Sequence, residues 1–238
     1  MVRLMTLSSI DQRWKFKRTA WALAGIFFLL IPLPLRADES GKQIRATIEK
    51  VLAILQDPRL GPDAGKKERR AKLRQVINSR FDFAEIAKRS LGSHWQGCTP
   101  EEQGEFVKLF TDLLEDFYLN KIEAYVGEKF VYLRETENGG FSEVATKTVP
   151  RKGQEFDINY RLHSANGDWK VYDMVIENVS LVNNYRSQFN RILTSASFDE
   201  LLKGLQERRV KGFGSERLRL DAIVSYSILS AGSPARPR

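Results

Sequence analysis

Residues 169–189 read WKVYDMVIENVSLVNNYRSQF. The first half is a strand with apolar side chains at both parities. Side chains alternate along a strand, so Trp169, Val171 and Val175 point one way and Tyr172, Met174 and Ile176 the other. A half-exposed sheet alternates apolar with polar residues. This strand therefore calls for apolar matter on each side: a helix layer on one, and a second protein layer or an apolar ligand on the other. Near Leu181 the period changes, and a helix follows to about Leu193.

Working outward, Lys129–Glu135, Phe141–Val149 and Gln154–His163 also read as strands, joining the strand Trp169–Val179. They are separated by Asn138-Gly139-Gly140, Pro150-Arg151-Lys152-Gly153 and Asn166-Gly167-Asp168. Connections this short join antiparallel neighbours, which predicts a four-stranded meander. In its third strand, Phe156, Ile158, Tyr160 and Leu162 face one way and Asp157, Asn159 and Arg161 the other.

Before the strands the pattern is helical. Ile44, Ile48, Val51, Leu52 and Leu55 recur at helical spacing, and Asp57-Pro58 stops that helix. Lys66–Ser79 is a second helix, basic on its outer face. Phe81–Leu91 is a third, with Asp82 as cap, Glu85 completing a capping box and Gly92 as terminator. Thr99-Pro100-Glu101-Glu102 opens a long helix to about Tyr125, whose wide apolar face carries Phe106, Leu109, Phe110, Leu113, Leu114, Phe117 and Leu119. A sixth helix, Ser197–Gln206, begins with a second capping box, Ser197 with Glu200.

The formal charge of the 238-residue chain is +8. Residues 1–37 carry a net +5 and residues 211–238 a net +3, so the body from Asp38 to Val210 is close to neutral. A basic protein normally suggests nucleic acid, but here the excess sits at the two ends, and nucleic acid is not the expected partner. Residues 1–37 have the parts of a secretory signal: Arg13, Lys15, Lys17 and Arg18, then an apolar centre from Ala20 to Ile31, then a small residue, Ala37, at the cut. Cleavage near Ala37 and export to the periplasm are expected, with an uncleaved anchor as the alternative. The chain divides into this segment, one α+β domain over 38–210, and a tail, 211–238, with no sustained period.

Little in the sequence points to catalysis. Gly61–Lys67 has three residues between its glycines where a phosphate-binding loop needs four. His94 and Cys98 lack two further ligands at metal spacing. Lys66, Lys67, Arg69, Arg70, Lys72 and Arg74 form a basic run with no aromatic between them, read as a solvated helix face, with contact to anionic headgroups or an acidic partner second. Asp173 is a charge inside an apolar strand. It is either a buried general base or a carboxylate held by an ion pair or a backbone hydrogen bond, with Arg161 on the neighbouring strand as the candidate partner.

Several blocks resemble the MlaC family, also called the toluene-tolerance family: Phe81-Asp82-Phe83, Leu91-Gly92-Ser93-His94-Trp95, Thr99–Gln103 with Phe106 and Phe110, and above all Trp169–Leu181 with Asn184–Phe189. The resemblance covers Gly41 to Arg209. One departure is Asn178, where the family usually has Gly before Val-Ser. Asn tolerates left-handed backbone better than most residues. The resemblance implies an NTF2-like α+β fold, in which a four-stranded or slightly larger antiparallel sheet and about six helices surround an apolar pocket.

It also implies a soluble periplasmic carrier of phospholipid. Such a carrier shuttles lipid between an outer-membrane lipoprotein complex and an inner-membrane ABC transporter and maintains outer-membrane lipid asymmetry. It needs neither cofactor nor metal nor catalytic group. The physical requirement agrees: roughly 30 methylenes at about 0.8 kcal/mol each cannot be left wet by a diffusing carrier. The residues expected to meet the tails are Phe110, Leu114, Phe156, Ile158, Tyr160, Tyr172, Met174, Ile176 and Val179. The competing reading is a small-molecule enzyme of the same pocketed fold, with Asp173 as base.

Overall fold

The computed structural model describes residues 39–61, 65–123, 129–150 and 154–207. The expected signal segment and tail lie outside the described residues. Six α-helices and a five-stranded sheet run in the order α1 (Glu39–Gln56), α2 (Lys66–Arg80), α3 (Phe83–Leu91), α4 (Pro100–Glu123), β1 (Lys129–Asn138), β2 (Phe141–Val149), β3 (Phe156–Ala165), β4 (Asp168–Ile176), β5 (Val179–Ser180), α5 (Leu181–Leu193) and α6 (Phe198–Gln206). The sheet is an antiparallel meander in strand order 1-2-3-4-5. This is the expected α+β architecture, with one addition: β5 is a two-residue strand that folds back on Val175 and Ile176.

Three of the strand connections are two-residue turns with both residues left-handed: Gly139-Gly140, Asn166-Gly167 and Glu177-Asn178. That backbone follows the right-handed twist of the flanking strands. The first two are written plainly as Gly-Gly and Asn-Gly. The third uses Glu177 at φ 47° and Asn178 at φ 65°, so Asn178 does take the conformation for which glycine is the usual residue.

Strand β4 corrects the first expectation. Arg161 pairs with Asp173, but Leu162 pairs with Val171, which leaves Tyr172 as an extra residue in β4. This bulge switches the phase of the alternation. Trp169 and Val171 before it, and Met174 and Ile176 after it, therefore fall on one face, packed with Val144, Phe156, Ile158, Tyr160 and Leu162 against Ile44 of α1. The opposite face is not a second apolar layer. It carries an ionic ladder, with Glu143 bonded to Arg161 at 3.3 Å and Lys147 3.9 Å from Asp157. Ala145 is buried on this face, and at its β4–β5 end Asp173 and Val175 become buried as well.

A separate core joins α3, α4, α5 and α6. Phe110 meets Tyr185 and Phe189 at ring-centroid distances of 4.8 and 5.1 Å, and Phe106 meets Phe189 at 5.3 Å. The wide apolar face of α4 thus serves two interiors, its first half this aromatic core and its second half the space beneath the sheet.

The caps of α4 and α6 form as their sequences dictate, each a reciprocal Thr–Glu or Ser–Glu pair. At α3 only half the box forms. Asp82 accepts from the Glu85 amide at 2.9 Å, whereas the Glu85 carboxylate turns to Arg89 at 2.8 Å. The second oxygen of Asp82 lies 3.0 Å from Nε2 of His163.

Candidate functional site

Between the sheet and helices α1, α2 and α4 lies a cavity with an accessible volume of about 180 Å³, within about 1350 Å³ of atom-free space that includes its open mouth. Ile158, Tyr160, Met174 and Ile176 form its wall on the sheet. Ile48, Val51, Leu52 and Leu55 of α1, Ile77 of α2, and Leu114, Tyr118 and Ile122 of α4 form most of the remaining wall, with Phe83 and Ile86 of α3 and Leu181 of α5 at its edge. A space so largely apolar offers water few hydrogen-bonding partners, and it favours apolar occupants.

The N-terminal half of helix α1 is fixed by polar contacts, and the turn after its C-terminus is held by Arg69, which donates to the Leu60 carbonyl at 2.9 Å. Ser40 is fully buried and bonds Glu135 at 2.5 Å and Ser142 at 2.6 Å, the Gly41 amide donates to Glu135 at 3.1 Å, and Arg45 stacks over Tyr132 at 3.8 Å. Burial and the neighbouring Glu49 push the Tyr132 phenol up to about 12, against the opposing pull of Arg45. Arg80 then reaches Thr47 at 3.3 Å, Gln43, Asp168 at 3.2 Å and the Trp169 carbonyl. Beyond Thr47 the helix offers the cavity a stripe of half-buried aliphatic side chains.

The basic face of α2 is not a free surface. Arg69 and Arg70 both bond Glu123 of α4, at 2.9 and 2.7 Å, and Arg74 bonds Glu115 at 2.8 Å. Lys72 pairs with Glu68 on its own helix at 2.8 Å. The run read as a solvated face is largely an ion-pair seam between α2 and α4. Partners a turn apart on another helix leave no trace in a one-dimensional charge pattern.

Five of the nine residues expected at the tails line the cavity: Leu114, Ile158, Tyr160, Met174 and Ile176. The other four do not. Phe110 sits in the aromatic core of the helices, and Phe156 is buried between sheet and α1. Tyr172, displaced by the bulge, lies on the opposite face against Phe141, His163 and Arg89. Val179 is half-buried in β5, paired with Ile176. The α1 stripe was visible as a helical period, but its role was not. The signal was an apolar face on a helix that never becomes fully buried beyond Ile44.

Asp173 is no free base. Its carboxylate accepts from Ser180 Oγ at 2.7 Å, the Val182 amide at 3.0 Å and Arg161 Nη1 at 3.1 Å. It does not line the cavity. The ion pair with Arg161 is the arrangement found, on the face away from the cavity. Cys98 donates its thiol to the His94 carbonyl at 3.3 Å, and burial pushes that thiol up. The His94 ring meets Asn190 at 3.1 Å.

Comparison with known proteins places residues 45–207 in the MlaC protein family model. The chain is 28% identical over 122 residues to the intermembrane phospholipid transport system binding protein MlaC of Haemophilus influenzae, covering 49% of this chain and 57% of that protein. It is 26% identical over 93 residues to toluene tolerance protein ttg2D of Pseudomonas putida, covering 39% and 43%. The chain thus spans about half the length of these curated relatives. Among solved structures, it is similar to the phospholipid-binding protein from Ralstonia solanacearum in complex with a phospholipid. The TM-score is 0.64 at 25% identity, covering 73% of this chain and 98% of that one.

Proposed function

The chain belongs to the MlaC family, and we propose that it is a periplasmic carrier that shelters the acyl chains of a phospholipid in the cavity beneath its sheet. On this reading it ferries lipid between an outer-membrane lipoprotein complex and an inner-membrane ABC transporter, and so maintains the lipid asymmetry of the outer membrane. The observation that carries the reading is the cavity itself: aliphatic and aromatic walls contributed by five helices and the sheet, with charge confined to a few positions. At about 0.8 kcal/mol per methylene, hydrocarbon is retained there without any catalytic group.

A bilayer interior is as apolar as the cavity, so loading is close to balanced in free energy. Direction must come from partners that bind the filled and empty forms differently.

The test is native mass spectrometry of the protein purified from a Gram-negative envelope, followed by lipid extraction. The expected result is a phospholipid-sized adduct that is lost on organic extraction. Protein that is uniformly free of lipid, and that stays so after incubation with phospholipid vesicles, would sink the reading.

A further inference from the structure

The acyl chains account for the apolar wall but leave the polar end of the ligand unassigned. The charged residues lining the cavity are Arg74, Arg80, Glu115 and Lys121. Arg80 is committed: its side chain is 14% exposed and its guanidinium already serves Thr47, Gln43, Asp168 and the Trp169 carbonyl. Arg69 and Arg70 share Glu123 and do not line the cavity.

Arg74 is differently placed. Its Nε donates to Glu115 at 2.8 Å, and its Nη2 stands 3.6 Å from Asp116. Both contacts engage one edge of the guanidinium. Among the described residues Nη1 makes no hydrogen bond, and the side chain is 40% exposed. A guanidinium carries five N–H donors in a rigid fork, and the fork suits phosphate oxygens. The seam therefore holds one edge of the fork and leaves its end free at the cavity rim.

We propose that Arg74 is the phosphate contact of the ligand. The end of its guanidinium receives the phosphodiester of a phospholipid between α2 and α4, while the chains occupy the cavity. This deepens the carrier reading and rests on it. Glu115 and Asp116 orient the fork, and their charge also repels a second anion. A free phosphate gains too little to overcome that repulsion, whereas a phosphate tethered to buried chains is delivered to the site at high effective concentration. The ligand class is thus a phosphate-bearing amphiphile.

The experiment uses full-length protein stripped of lipid and measures displacement of a fluorescent fatty-acyl reporter. The competitors are phosphatidylglycerol, the diacylglycerol with the same chains, and inorganic phosphate. Arg74→Gln is expected to lower affinity for the phospholipid about tenfold, the loss of one charge-assisted hydrogen bond, with diacylglycerol unchanged. Arg69→Gln, on the same seam but off the cavity, should leave both affinities as they are. Arg74→Lys keeps the charge across the seam without the fork, and should give a smaller drop in the same direction if the glutamine variant does not fold. Equal losses on both lipids, or no loss on either, would overturn the assignment. So would tight binding of inorganic phosphate alone. Failure of the wild type to bind either lipid would instead remove the carrier reading, and this inference with it.

Discussion

The carboxylate of Asp173 accepts the backbone amide of Val182 at 3.0 Å, so a residue in the middle of β4 holds the first turn of the helix that follows it. The same carboxylate takes Ser180 Oγ and Arg161 Nη1. Asp173 is 3% exposed, which makes this a buried junction between sheet and helix. Asp173→Asn puts donor hydrogens where acceptor lone pairs are needed. It should cost about 2–4 kcal/mol of folding stability, measured by urea unfolding. Lipid bound per folded molecule should not change, because the group does not line the cavity. Loss of lipid without loss of stability would contradict this structural role.

Glu177 and Asn178 both hold positive φ in the turn between β4 and β5. Glu177 has compensation there, since its carboxylate accepts from the Asp157 amide at 2.6 Å and its own amide donates to the Asp157 carbonyl at 3.1 Å. Asn178→Gly removes a side chain from left-handed backbone and should raise stability by a few tenths to about 1 kcal/mol. Asn178→Val should lower it by more than that. A thermal denaturation series of the two variants checks the order; a stabilised valine variant would show that the turn is not held as described.

The elements of this fold were legible because their local signals agree with their tertiary setting. Thr99 with Glu102 and Ser197 with Glu200 write their own helix starts, and Asn166-Gly167 writes its own hairpin. Tyr172 was not legible. Nothing in WKVYDMVI marks the bulge, because a phase switch is set by how β3 pairs with β4, and a strand with apolar residues at both parities accommodates either phase. The ion-pair seam was hidden for a related reason: the partners of Arg69, Arg70 and Arg74 lie more than 40 residues away. The cavity wall was half legible. Met174 and Ile176 follow from strand alternation, whereas the contribution of Val51 and Leu55 depends on where α1 crosses the sheet.

Glu123 is shared by Arg69 and Arg70. Burial pushes its carboxyl up, but the hydrogen bonds and charges of the two guanidiniums outweigh that and bring it below the ordinary value of 4.5. A carboxyl lowered on folding adds stability that is fully present above its unfolded pKa and is lost as the pH falls through its folded one. Glu123→Gln should therefore destabilise the protein at neutral pH, and the gap between the two proteins should shrink once the pH drops below 4.5. Parallel denaturant titrations across that range read the effect. A gap independent of pH would mean that the carboxylate charge is not what holds α2 to α4.

Gly65 precedes α2 in an ordinary right-handed conformation, so its requirement is space rather than backbone freedom. A Cβ there would stand 2.5 Å from Leu60 Cα and 2.6 Å from the Leu60 carbonyl carbon. Both are backbone atoms and cannot rotate away. Gly65→Ala should cost about 1–3 kcal/mol, by forcing apart the turn that carries Leu60 and the start of α2. Gly97 and Gly104 have nothing within 4 Å of the same position. Alanine at Gly104, inside α4, should stabilise by up to about 1 kcal/mol. Similar losses at Gly65 and Gly104 would refute the steric account.

Met174 lies in the cavity wall. It is half-buried, sits one residue beyond Asp173, and points to the cavity because the bulge at Tyr172 reset the alternation. Met174→Glu places a carboxylate among Ile158, Tyr160 and Ile176. An unpaired charge is poorly tolerated beside hydrocarbon, so co-purified phospholipid should fall by roughly tenfold or more while far-UV circular dichroism stays native. Met174→Leu, of similar volume and polarity, should keep its lipid. Tyr172→Glu is adjacent in sequence but on the opposite face of the sheet, and should keep its lipid as well. If Tyr172→Glu empties the protein and Met174→Glu does not, the faces of β4 have been assigned the wrong way round and the cavity wall must be redrawn.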